Sequence, residues 1–489
     1  MKLRQLAESI GAKTAACPDA DIRELFMDSR QTVRDGLFFC ISGSTFDGHR
    51  FARQAVEKGA CALVVEHPVD GISVPQLEVE NSRIAMALAA AEFYGHADRE
   101  MKLIGLTGTK GKTTTSYLVK GILEAAGFKC GLIGTIGSRI GEKLIRSGLT
   151  TPDPIDLHKT LRMMADEGAD YVVMEVSAHA LALHRLEGMR FSTGCFTNLS
   201  QDHLDFFGTM DRYFECKKSF FRSAWLDNAA INADDERSQT ILAEMDVPRM
   251  TFGIARDADV SAHDIEISED GVHFTMRVLQ MDDYPVALNL TGMFNVYNAL
   301  AAAAVCLNQG LDPAQVAGAL HTIQGVPGRA ELLDTRTPYK VILDYSHSPD
   351  ALDNILNTVR AFARGRVIIL FGCGGDRDHA KRPIMGEIAG RLADYSILTS
   401  DNPRTEDPYD ILKAVESGIR KTKGKYTVIE NRREAIRHAL ETAREGDIVV
   451  LAGKGHETYQ EINGIKHPFD EKAVVQQLLS EMKQGKPKA

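Results

Sequence analysis

The stretch IGLTGTKGKTTTS at residues 104–116 most constrains what this chain can fold into. The segment MKLIGLTG leads into it and is typical of a short strand, whereas TTTSYLVKGILEAAG predicts a helix that ends at Gly127. Glycines in such a loop let backbone N–H groups converge on phosphate at a helix N-terminus, while Lys112 supplies positive charge and Thr113 a hydroxyl for Mg²⁺. Because Leu106 stands where the standard motif has its first glycine, we interpret the loop as a shortened phosphate loop rather than an ordinary solvated turn.

The order of strand-like and helix-like segments predicts an α/β protein of several domains. A chain of 489 residues is too long for one core. Strands and helices alternate after the phosphate loop and again from KVILDYSHSPD onward, a pattern that builds parallel sheets, whereas residues 258–290 alternate like hairpin strands. We place boundaries near residues 98 and 330, which gives domains 1–98, 99–330 and 331–489.

Composition narrows the class of function. The net charge of −10 argues against a nucleic-acid or anionic-membrane partner, because a polyanion requires a basic face. The eight cysteines are scattered without a CxxC pair, which favours a reducing compartment and no zinc site. The longest apolar run, ALAAAAVCL, is too short to cross a bilayer, and the first residues lack the apolar core of a signal peptide. We therefore expect a cytoplasmic, monomeric enzyme that acts on small molecules, without stable membrane insertion.

A second cluster of candidate residues follows the loop. Glu175 ends the strand-like segment YVVMEV, and a carboxylate at the carboxyl end of a strand near a phosphate loop suits Mg²⁺. His203 and Asp205 lie in NLSQDHLDFFG, and Lys217 lies in YFECKKSFF. A single histidine is more often structural than a ligand, and a single lysine is usually solvated, so each residue alone is a weak signal.

Eleven motifs in order give the chain a resemblance to a known family. They are TGTKGKTT, TTPD, EVSAHAL, FTNLSQDHLD, YFECKK, LTGMFNVYNALAA, GVPGRAE, DYSHSPDAL, FGCGGDRDHAKRP, DNPRTEDP and AGKGHE. Together they resemble the Mur ligase family, whose members are ATP-dependent amide-forming enzymes that assemble the peptidoglycan stem peptide and so serve wall biogenesis, cell shape and division. The resemblance implies an N-terminal UDP-binding α/β domain, a central P-loop ATPase domain with a parallel sheet, and a C-terminal Rossmann-like domain.

The resemblance also implies a reaction and its catalytic groups. Within the family the chain is similar to enzymes that add the third residue to UDP-N-acetylmuramoyl-L-alanyl-D-glutamate through an acyl phosphate. Lys217 matches a lysine that the family carries as a carbamate, with Lys218 as the alternative. The implied catalytic residues are Lys112, Glu175, His203 and Lys217, and the implied Mg²⁺ ligands are Thr113 with Glu175 and His203 with the Lys217 carbamate (N6-carboxylysine).

The resemblance further implies two sets of binding residues. The set for ATP is Gly108, Thr109, Lys110, Gly111, Lys112, Thr113, Thr114, Asn295, Arg329, Asp344, Tyr345 and His347, with Asn298 open between nucleotide contact and helix packing. The set for the UDP-muramoyl dipeptide is Met27, Ser29, Ser44, Thr45, Phe46, Thr150, Thr151, Ser177 and Arg185. Without the other motifs, GSTFDGH would be interpreted as a turn.

The loop SDNPRTEDP at residues 400–408 bears on which amino acid is added. In the family its arginine form accompanies meso-2,6-diaminopimelate, whose distal carboxylate a guanidinium can grip through two hydrogen bonds. Arg404 would attract that carboxylate and repel the ammonium of lysine. The implied set for diaminopimelate is Arg377, Asp401, Asn402, Pro403, Arg404, Gly453 and Glu457, with Arg377 on a carboxylate and the acids on ammonium groups.

Departures from the family pattern and alternatives remain. Ala178 and Ser346 stand where serine and alanine are common, and Leu149 and Leu183 stand where some relatives carry polar residues near the muramoyl group. The alternatives are ligation of lysine, ligation of glutamate to folate by a folylpolyglutamate synthase, and a non-catalytic nucleotide switch or DNA-handling protein. The UDP-pocket motifs disfavour the folate enzyme, and the acidic balance and the Lys217 cluster disfavour the last.

Overall fold

The structure is a computed structural model that describes residues 1–13, 19–43, 47–141, 143–145, 148–268, 270–279, 282–323 and 325–484. It divides into two compact units. The first holds Met1–Ser261 and Asn298–Ala319, the second holds Ala262–Arg277 and Leu320–Ala489, and short pieces of 278–297 are divided between them. Among the described residues, no helix combines the length and the apolar composition needed to cross a membrane.

The N-terminal part of the first unit is a small parallel sheet with helices on both faces. Its elements are α1 (Leu3–Ser9), β1 (Glu24–Phe26), β2 (Gly36–Phe39), α2 (Ala52–Glu57), β3 (Ala60–Val65), β4 (Gln76–Glu78) and α3 (Ser82–Phe93), with short 3-10 helices at Gly48–Phe51 and Ala97–Arg99. The strands pair in chain order. Successive side chains point to opposite faces, so Leu37 and Phe39 pack with α1 and α3 while Phe38 packs with α2.

The rest of the first unit is built on a larger sheet. Its elements are β5 (Lys102–Thr107), α4 (Lys112–Ala125), β6 (Cys130–Gly134), β7 (Gly137–Ile140), β8 (Lys143–Ile145), α5 (Pro154–Asp166), β9 (Tyr171–Glu175), α6 (Ala178–Ala182), β10 (Thr193–Phe196), α7 (Leu204–Phe207), α8 (Met210–Lys218), β11 (Ala229–Asn232), α9 (Ser238–Glu244) and β12 (Arg249–Gly253). The strand order is β12-β11-β10-β5-β9-β6-β7-β8. The pairs from β12 to β6 are parallel, and β7 and β8 are antiparallel additions.

The register of this sheet gathers the ends of three strands. Leu106 pairs with Glu175 across β5 and β9, and Thr107 pairs with Phe196 across β5 and β10. The loops after β5, β9 and β10 therefore leave the same edge of the sheet side by side. In open parallel sheets this edge is where ligands bind.

A meander and two helices follow. They are β13 (Val260–Ile267), β14 (Val272–Val278), β15 (Asp282–Leu288), α10 (Met293–Asn308) and α11 (Pro313–Thr322). The first residues of β13 pair in parallel with β12, and β13, β14 and β15 are neighbours in that order. The hairpin strands predicted for residues 258–290 are therefore confirmed.

The C-terminal part of the second unit is a six-stranded sheet. Its elements are β16 (Glu331–Leu333), β17 (Lys340–Asp344), α12 (Pro349–Phe362), β18 (Val367–Phe371), α13 (Lys381–Leu392), β19 (Tyr395–Leu398), α14 (Pro408–Ile419), β20 (Tyr426–Val428), α15 (Arg432–Thr442), β21 (Ile448–Ala452), a hairpin of β22 (Tyr459–Ile462) and β23 (Ile465–Pro468), and α16 (Glu471–Gln484). The order is β16-β17-β21-β18-β19-β20, with only β16 antiparallel among these pairs.

Helices cover both faces of this sheet. Ile369 and Phe371 of β18 pack in the cluster that contains α12, α13 and α14, whereas Ile368 and Leu370 pack with α15 and α16. A parallel sheet buried on both faces is the arrangement expected of a Rossmann-like domain. The predicted fold class is confirmed.

Candidate active site

The phosphate loop joins β5 to α4, and its glycines are required by close packing. Gly108 has φ of 143°, and a Cβ there would stand 2.0 Å from Oγ1 of Thr197. Gly111 has φ of 87° and caps α4, and a Cβ there would stand 2.4 Å from Oδ1 of Asn298. The Nζ atom of Lys112 donates to the carbonyl oxygens of Gly108 at 2.8 Å and Thr109 at 3.1 Å. Only glycine at these two positions allows this loop conformation.

Asn198 holds the loop from the neighbouring strand end. Its Oδ1 accepts from the backbone N–H of Lys110 at 2.8 Å, and its Nδ2 donates to the Lys110 carbonyl at 3.0 Å. Its own carbonyl accepts from the Thr109 N–H at 2.8 Å. The sequence analysis missed this role, although an asparagine two residues after β10 was the available signal. Lys110 also pairs with Asp202 at 3.3 Å, and Thr114 is buried in the first turn of α4.

Glu175 collects hydroxyl and amide donors at the end of β9. It is 1% exposed, and its Oε1 accepts from Oγ1 of Thr113 at 2.9 Å and from the backbone N–H of Thr135 at 2.9 Å. Its Oε2 accepts from Oγ1 of Thr135 at 3.1 Å. The structure thus brings Thr113 and Glu175 together as the sequence analysis expected. Thr135 was missed, because a threonine in a glycine-rich turn carries no distinct sequence signal.

Lys217 is a buried lysine beside the phosphate loop. It is 1% exposed, its Nζ donates to the Gly108 carbonyl at 2.8 Å, and it lies 4.7 Å from the ring centre of Tyr213. Because Lys112 donates to the same carbonyl, two cationic groups converge on one oxygen. Burial first, and then Lys112, lower the pKa of Lys217 well below its usual value. A larger fraction of the Lys217 amine is therefore neutral than is usual for lysine.

Lys218 has a different environment. Its Nζ pairs with Glu215 at 2.9 Å and with Glu244 at 2.8 Å, and both acids are more than half exposed. Hydrogen bonds that the Lys218 amine donates to Glu244 and Glu215 raise the pKa of Lys218. Lys218 therefore stays protonated, and Lys217 is the better candidate for a reactive amine.

His203 lies at the start of α7, in a group of aromatic rings. Its ring centre is 4.7 Å from that of His179 and 6.1 Å from that of Tyr213, the ring on which Lys217 lies. The pKa of His203 is lowered, first by loss of hydration and also by the nearby Lys112. A neutral imidazole is the form that binds a metal. Asp205 is exposed in the same helix.

Four residues assigned to the muramoyl peptide form one network next to Glu175. Oγ1 of Thr151 donates to the Glu175 carbonyl at 2.7 Å and lies 3.2 Å from Oγ of Ser177. Nη1 of Arg185 donates to the Thr151 carbonyl at 2.8 Å. The hydroxyls of Thr150 and Thr135 are 3.2 Å apart.

The nonpolar departures around this network lie in three different settings. Leu149 is exposed, Leu183 is half-buried, and Ala178 is buried against Phe207 and Tyr213.

The residues assigned to the uridine portion are only partly described. Met27 is 41% exposed, and the hydroxyl of Ser29 donates to Oε1 of Gln54 at 3.0 Å. Ser44, Thr45 and Phe46 lie outside the described residues.

In the second unit, three of the residues assigned to diaminopimelate lie around a buried lysine. Lys454 is 0% exposed, and its Nζ donates to Oδ1 of Asn402 at 2.9 Å and lies 3.3 Å from Glu457 and 3.4 Å from Asp401. A Cβ on Gly453 would stand 3.1 Å from Oδ2 of Asp401. Lys454 was not singled out from the sequence, since a lysine in AGKGHE resembles a solvated loop residue.

Two arginines lie on the neighbouring loops. Nη1 of Arg404 donates to the Gly375 carbonyl at 2.7 Å. A Cβ on Gly374 would stand 2.9 Å from that Nη1 atom and 3.8 Å from Cγ of Arg377. The exposed Arg377 and the partly buried Arg404 therefore flank Gly374, and the buried Pro403 precedes Arg404.

The remaining residues assigned to ATP also lie in the second unit. The guanidinium of Arg329 lies 4.8 Å from the ring centre of Tyr345, and that ring is 4.7 Å from the ring of His347. Asp344 is buried, accepts from the Ala330 N–H at 2.8 Å and accepts from the hydroxyl of Ser346. In a separate contact, Nδ2 of Asn295 donates to the Thr291 carbonyl at 2.8 Å.

The fold and the phosphate loop define a nucleotide-binding α/β protein with a buried acid and a buried lysine at the loop. Family models match three stretches: Mur ligase family, catalytic domain, over residues 21–94; Mur ligase middle domain over 106–306; and Mur ligase, glutamate ligase domain, over 328–455. The chain belongs to the Mur ligase family, whose members are ATP-dependent amide-bond-forming ligases.

Similar proteins cover nearly the whole chain. A UDP-N-acetylmuramoyl-L-alanyl-D-glutamate--2,6-diaminopimelate ligase of Clostridium botulinum is 43% identical over 94% of this chain and 96% of its own length. An enzyme of the same name from Geobacillus thermodenitrificans is 45% identical over 94% of this chain and 95% of its own length. A solved structure of a protein with that name is 31% identical, with a TM-score of 0.71 over 99% of this chain and 100% of that chain.

Proposed function

We propose that the chain uses ATP to join meso-2,6-diaminopimelate to the D-glutamate of UDP-N-acetylmuramoyl-L-alanyl-D-glutamate, a step in peptidoglycan precursor synthesis. The observation that carries the proposal is a cluster in the second unit, in which Asp401 lies 3.4 Å and Glu457 lies 3.3 Å from Nζ of Lys454, and Asp401 shares its loop with Arg404. Acids and an arginine on adjoining loops suit an amino acid that carries ammonium groups and a distal carboxylate. The relatives whose names specify these two substrates support the same assignment.

The proposed reaction has two steps, transfer of a phosphoryl group and formation of the amide bond. An oxygen of the D-glutamate carboxylate attacks the γ-phosphorus of ATP, and ADP leaves with the electron pair of the broken P–O bond. The neutral amine of diaminopimelate then attacks the carbonyl carbon of the acyl phosphate. Inorganic phosphate leaves with the electron pair of the C–O bond, and the nitrogen releases its proton. Since a carboxylate must approach a triphosphate, cationic groups at the phosphate loop, Lys112 foremost, lower the barrier.

The oxygen ligands at the phosphate loop fit Mg²⁺. Two adjacent ligands of an octahedral Mg²⁺ are about 2.9 Å apart, and the Thr113 hydroxyl is 2.9 Å from the Glu175 carboxylate. We assign Thr113 and Glu175 to one ion, and His203 with the Lys217 carbamate to a second. When bound, the ions neutralise developing charge on phosphate and carboxylate oxygens.

Replacing Thr135 with valine tests the Glu175 assignment. The variant loses the hydroxyl that donates to Glu175 but keeps the backbone N–H bond. We expect the Mg²⁺ concentration for half-maximal ADP release to rise about 10-fold, the scale of losses when a ligand loses its supporting bond. Thr160→Val is the matched control, since among the described residues that hydroxyl bonds only within α5, to the Asp156 carbonyl. An unchanged Mg²⁺ requirement in Thr135→Val contradicts the assignment.

The proposed carbamate on Lys217 would form in one step with CO₂. A neutral amine attacks the carbon of CO₂, a C–N bond forms, one C–O π pair moves to oxygen, and the nitrogen releases a proton. Lys217 then carries a negative charge next to Lys112 instead of a positive one, which replaces repulsion by attraction. The buried position beside the phosphate loop supports this modification.

Other assignments remain proposals at this level of detail. The residues proposed to contact ATP from the second unit are Arg329, Asp344, Tyr345, His347 and Asn295. The set of first-unit residues that the sequence analysis assigns to the UDP-muramoyl dipeptide, which includes Met27 and Thr150, is proposed to contact that substrate. The boundaries at residues 98 and 330, the cytoplasmic location and the monomeric state also stay predictions.

A substrate profile tests the choice of amino acid. Purified protein with ATP, Mg²⁺ and UDP-N-acetylmuramoyl-L-alanyl-D-glutamate is expected to release phosphate with meso-diaminopimelate and at least about 100-fold more slowly with L-lysine, because Arg404 repels an ammonium group. The measurement is kcat/KM for each amino acid from phosphate release. Equal values for both would overturn the Arg404 argument, and preference for a folate acceptor would overturn the proposal itself.

A further inference from the structure

The hairpin of β22 and β23 is joined to Arg404 through the backbone. The Arg404 N–H donates to the Glu461 carbonyl at 3.0 Å, and the Asn463 N–H donates to the Arg404 carbonyl at 2.7 Å. Arg404 has φ of 51°, a conformation that is uncommon for a residue with a side chain. One backbone hydrogen bond at the N–H and one at the carbonyl of Arg404 therefore hold it in a positive-φ conformation that it would not adopt readily by itself.

The same hairpin also contacts the guanidinium. Nε of Arg404 lies 3.4 Å from Oε2 of Glu461, and the two side chains are 21% and 24% exposed. Nη1 donates to the Gly375 carbonyl at 2.7 Å. Among the described residues, Nη2 has no hydrogen-bond partner. The Glu461 carboxylate on the Nε side and the Gly375 carbonyl on Nη1 together fix the plane of the guanidinium. The N–H groups of Nη2 and the second N–H of Nη1 are left to donate to a ligand carboxylate.

Another acid of the Arg404 loop is already engaged. Glu406 accepts from Nη1 and Nη2 of Arg382, each at 2.8 Å, and a Cβ on Gly375 would stand 3.3 Å from the Glu406 side chain. Glu406 therefore lies near the Arg404 loop but is neutralised by another arginine. Glu461 is the acid that pairs with Arg404 among the described residues.

We propose that Glu461 is a positioning residue for amino-acid selection, which orients the Arg404 guanidinium toward the distal carboxylate of the incoming substrate. This inference rests on the proposed function. Glu461 does not contact the reacting atoms and acts through Arg404, so its loss affects binding and selectivity for a carboxylate-bearing side chain more than turnover. A merely structural role in the hairpin would instead lower stability and leave selectivity unchanged.

The experiment uses the full chain with Glu461→Gln, which removes the charge and retains an oxygen near Nε. We expect KM for diaminopimelate to rise about 5- to 10-fold with kcat within about twofold, since a freed guanidinium samples more orientations. The ratio of kcat/KM for diaminopimelate over lysine falls by the same factor, and KM for ATP stays constant. Glu461→Asp, which keeps the charge, recovers part of the selectivity.

Glu445→Gln is the matched control, because Glu445 is an exposed acid in the turn before β21. The control is expected to leave both KM and selectivity unchanged. If Glu461→Gln keeps the wild-type selectivity, or if it lowers thermal stability without changing KM, the inference fails while the proposed function stands. If the wild-type enzyme does not distinguish diaminopimelate from lysine, the Arg404 argument fails, and this inference fails with it. If the enzyme prefers a folate acceptor, the proposed function itself fails.

Discussion

Replacing Lys217 with alanine is expected to reduce the rate of ADP release at least about 100-fold, the scale of removing a group that stabilises charge in the transition state. The substitution removes a buried amine that donates a hydrogen bond to the Gly108 carbonyl of the phosphate loop. If that amine carries a carbamate, its loss also removes an anionic oxygen ligand. Short-chain carboxylic acids such as acetate can then enter the space left by the side chain and restore part of the activity.

The measurement compares ADP release by Lys217→Ala with and without added acetate, at fixed ATP, Mg²⁺ and substrates. Lys218→Ala is the matched control, because it removes the adjacent lysine, which pairs with Glu215 and Glu244 at the surface. The control is expected to retain near wild-type activity and to show no response to acetate. Mass spectrometry of the intact wild-type chain under CO₂ adds a readout that does not depend on activity.

Two results would contradict the assignment of Lys217. Full activity of Lys217→Ala would mean that the buried amine has no part in catalysis. Loss of activity in both lysine variants, with acetate restoring neither, would indicate damage to α8 rather than loss of a ligand. A rescue confined to Lys217→Ala distinguishes a chemical role from a structural one.

The sequence predicted well those parts of the site that follow from local patterns. Lys112, Thr113 and Glu175 could be placed together because a phosphate loop follows one strand, an acid ends another, and parallel strands bring such ends to one edge. The register of β5 with β9 brings this about, with Leu106 opposite Glu175. The strand and helix alternation likewise predicted both parallel sheets, since each buried strand is a short apolar run between turn residues.

Residues whose role depends on distant partners could not be predicted in this way. Asn198 supports a loop that lies almost 90 positions earlier in the chain, and Glu461 reaches Arg404 from a separate hairpin. Lys454 resembles a solvated lysine in the sequence, yet it is fully buried among polar groups. Such pairings are set by the packing of whole elements, and no local periodicity records them.

Arg432 and Glu471 form a buried ion pair between residues far apart in the chain, and the stability of the second unit is expected to depend on it. Both side chains are 0% exposed, and Nε of Arg432 lies 2.8 Å from Oε1 of Glu471. Nη1 donates to the Ser400 carbonyl at 3.2 Å and Nη2 to the Ala452 carbonyl at 2.8 Å. One guanidinium thus ties the first turn of α16 to the ends of β19 and β21.

Replacing Glu471 with alanine should therefore destabilise the second unit strongly. The variant leaves a buried guanidinium without its counter-charge, which costs about 3–5 kcal/mol of unfolding free energy. The control is Glu387→Ala, whose exposed partner Arg391 lies 4.0 Å away, so that a change below about 1 kcal/mol is expected. The measurement is hydrogen exchange of β19 and β21 in the full chain, which reports the opening free energy of this unit separately from that of the first.

A double variant tests whether the cost comes from the unpaired charge or from loss of the ion-pair and hydrogen-bond network of Arg432. Replacing Arg432 with methionine and Glu471 with leucine removes both charges and keeps most of the apolar volume. Because a buried ion pair contributes little net stability over apolar residues, the double variant should be more stable than Glu471→Ala. Its KM for the amino acid should still rise, since Ser400 and Ala452 directly precede Asp401 and Gly453 and would lose the guanidinium that fixes their carbonyls. Equal instability of the two variants would show instead that the hydrogen bonds of the Arg432 guanidinium to the Ser400 and Ala452 carbonyls, and not the charge balance, hold the strand ends in place.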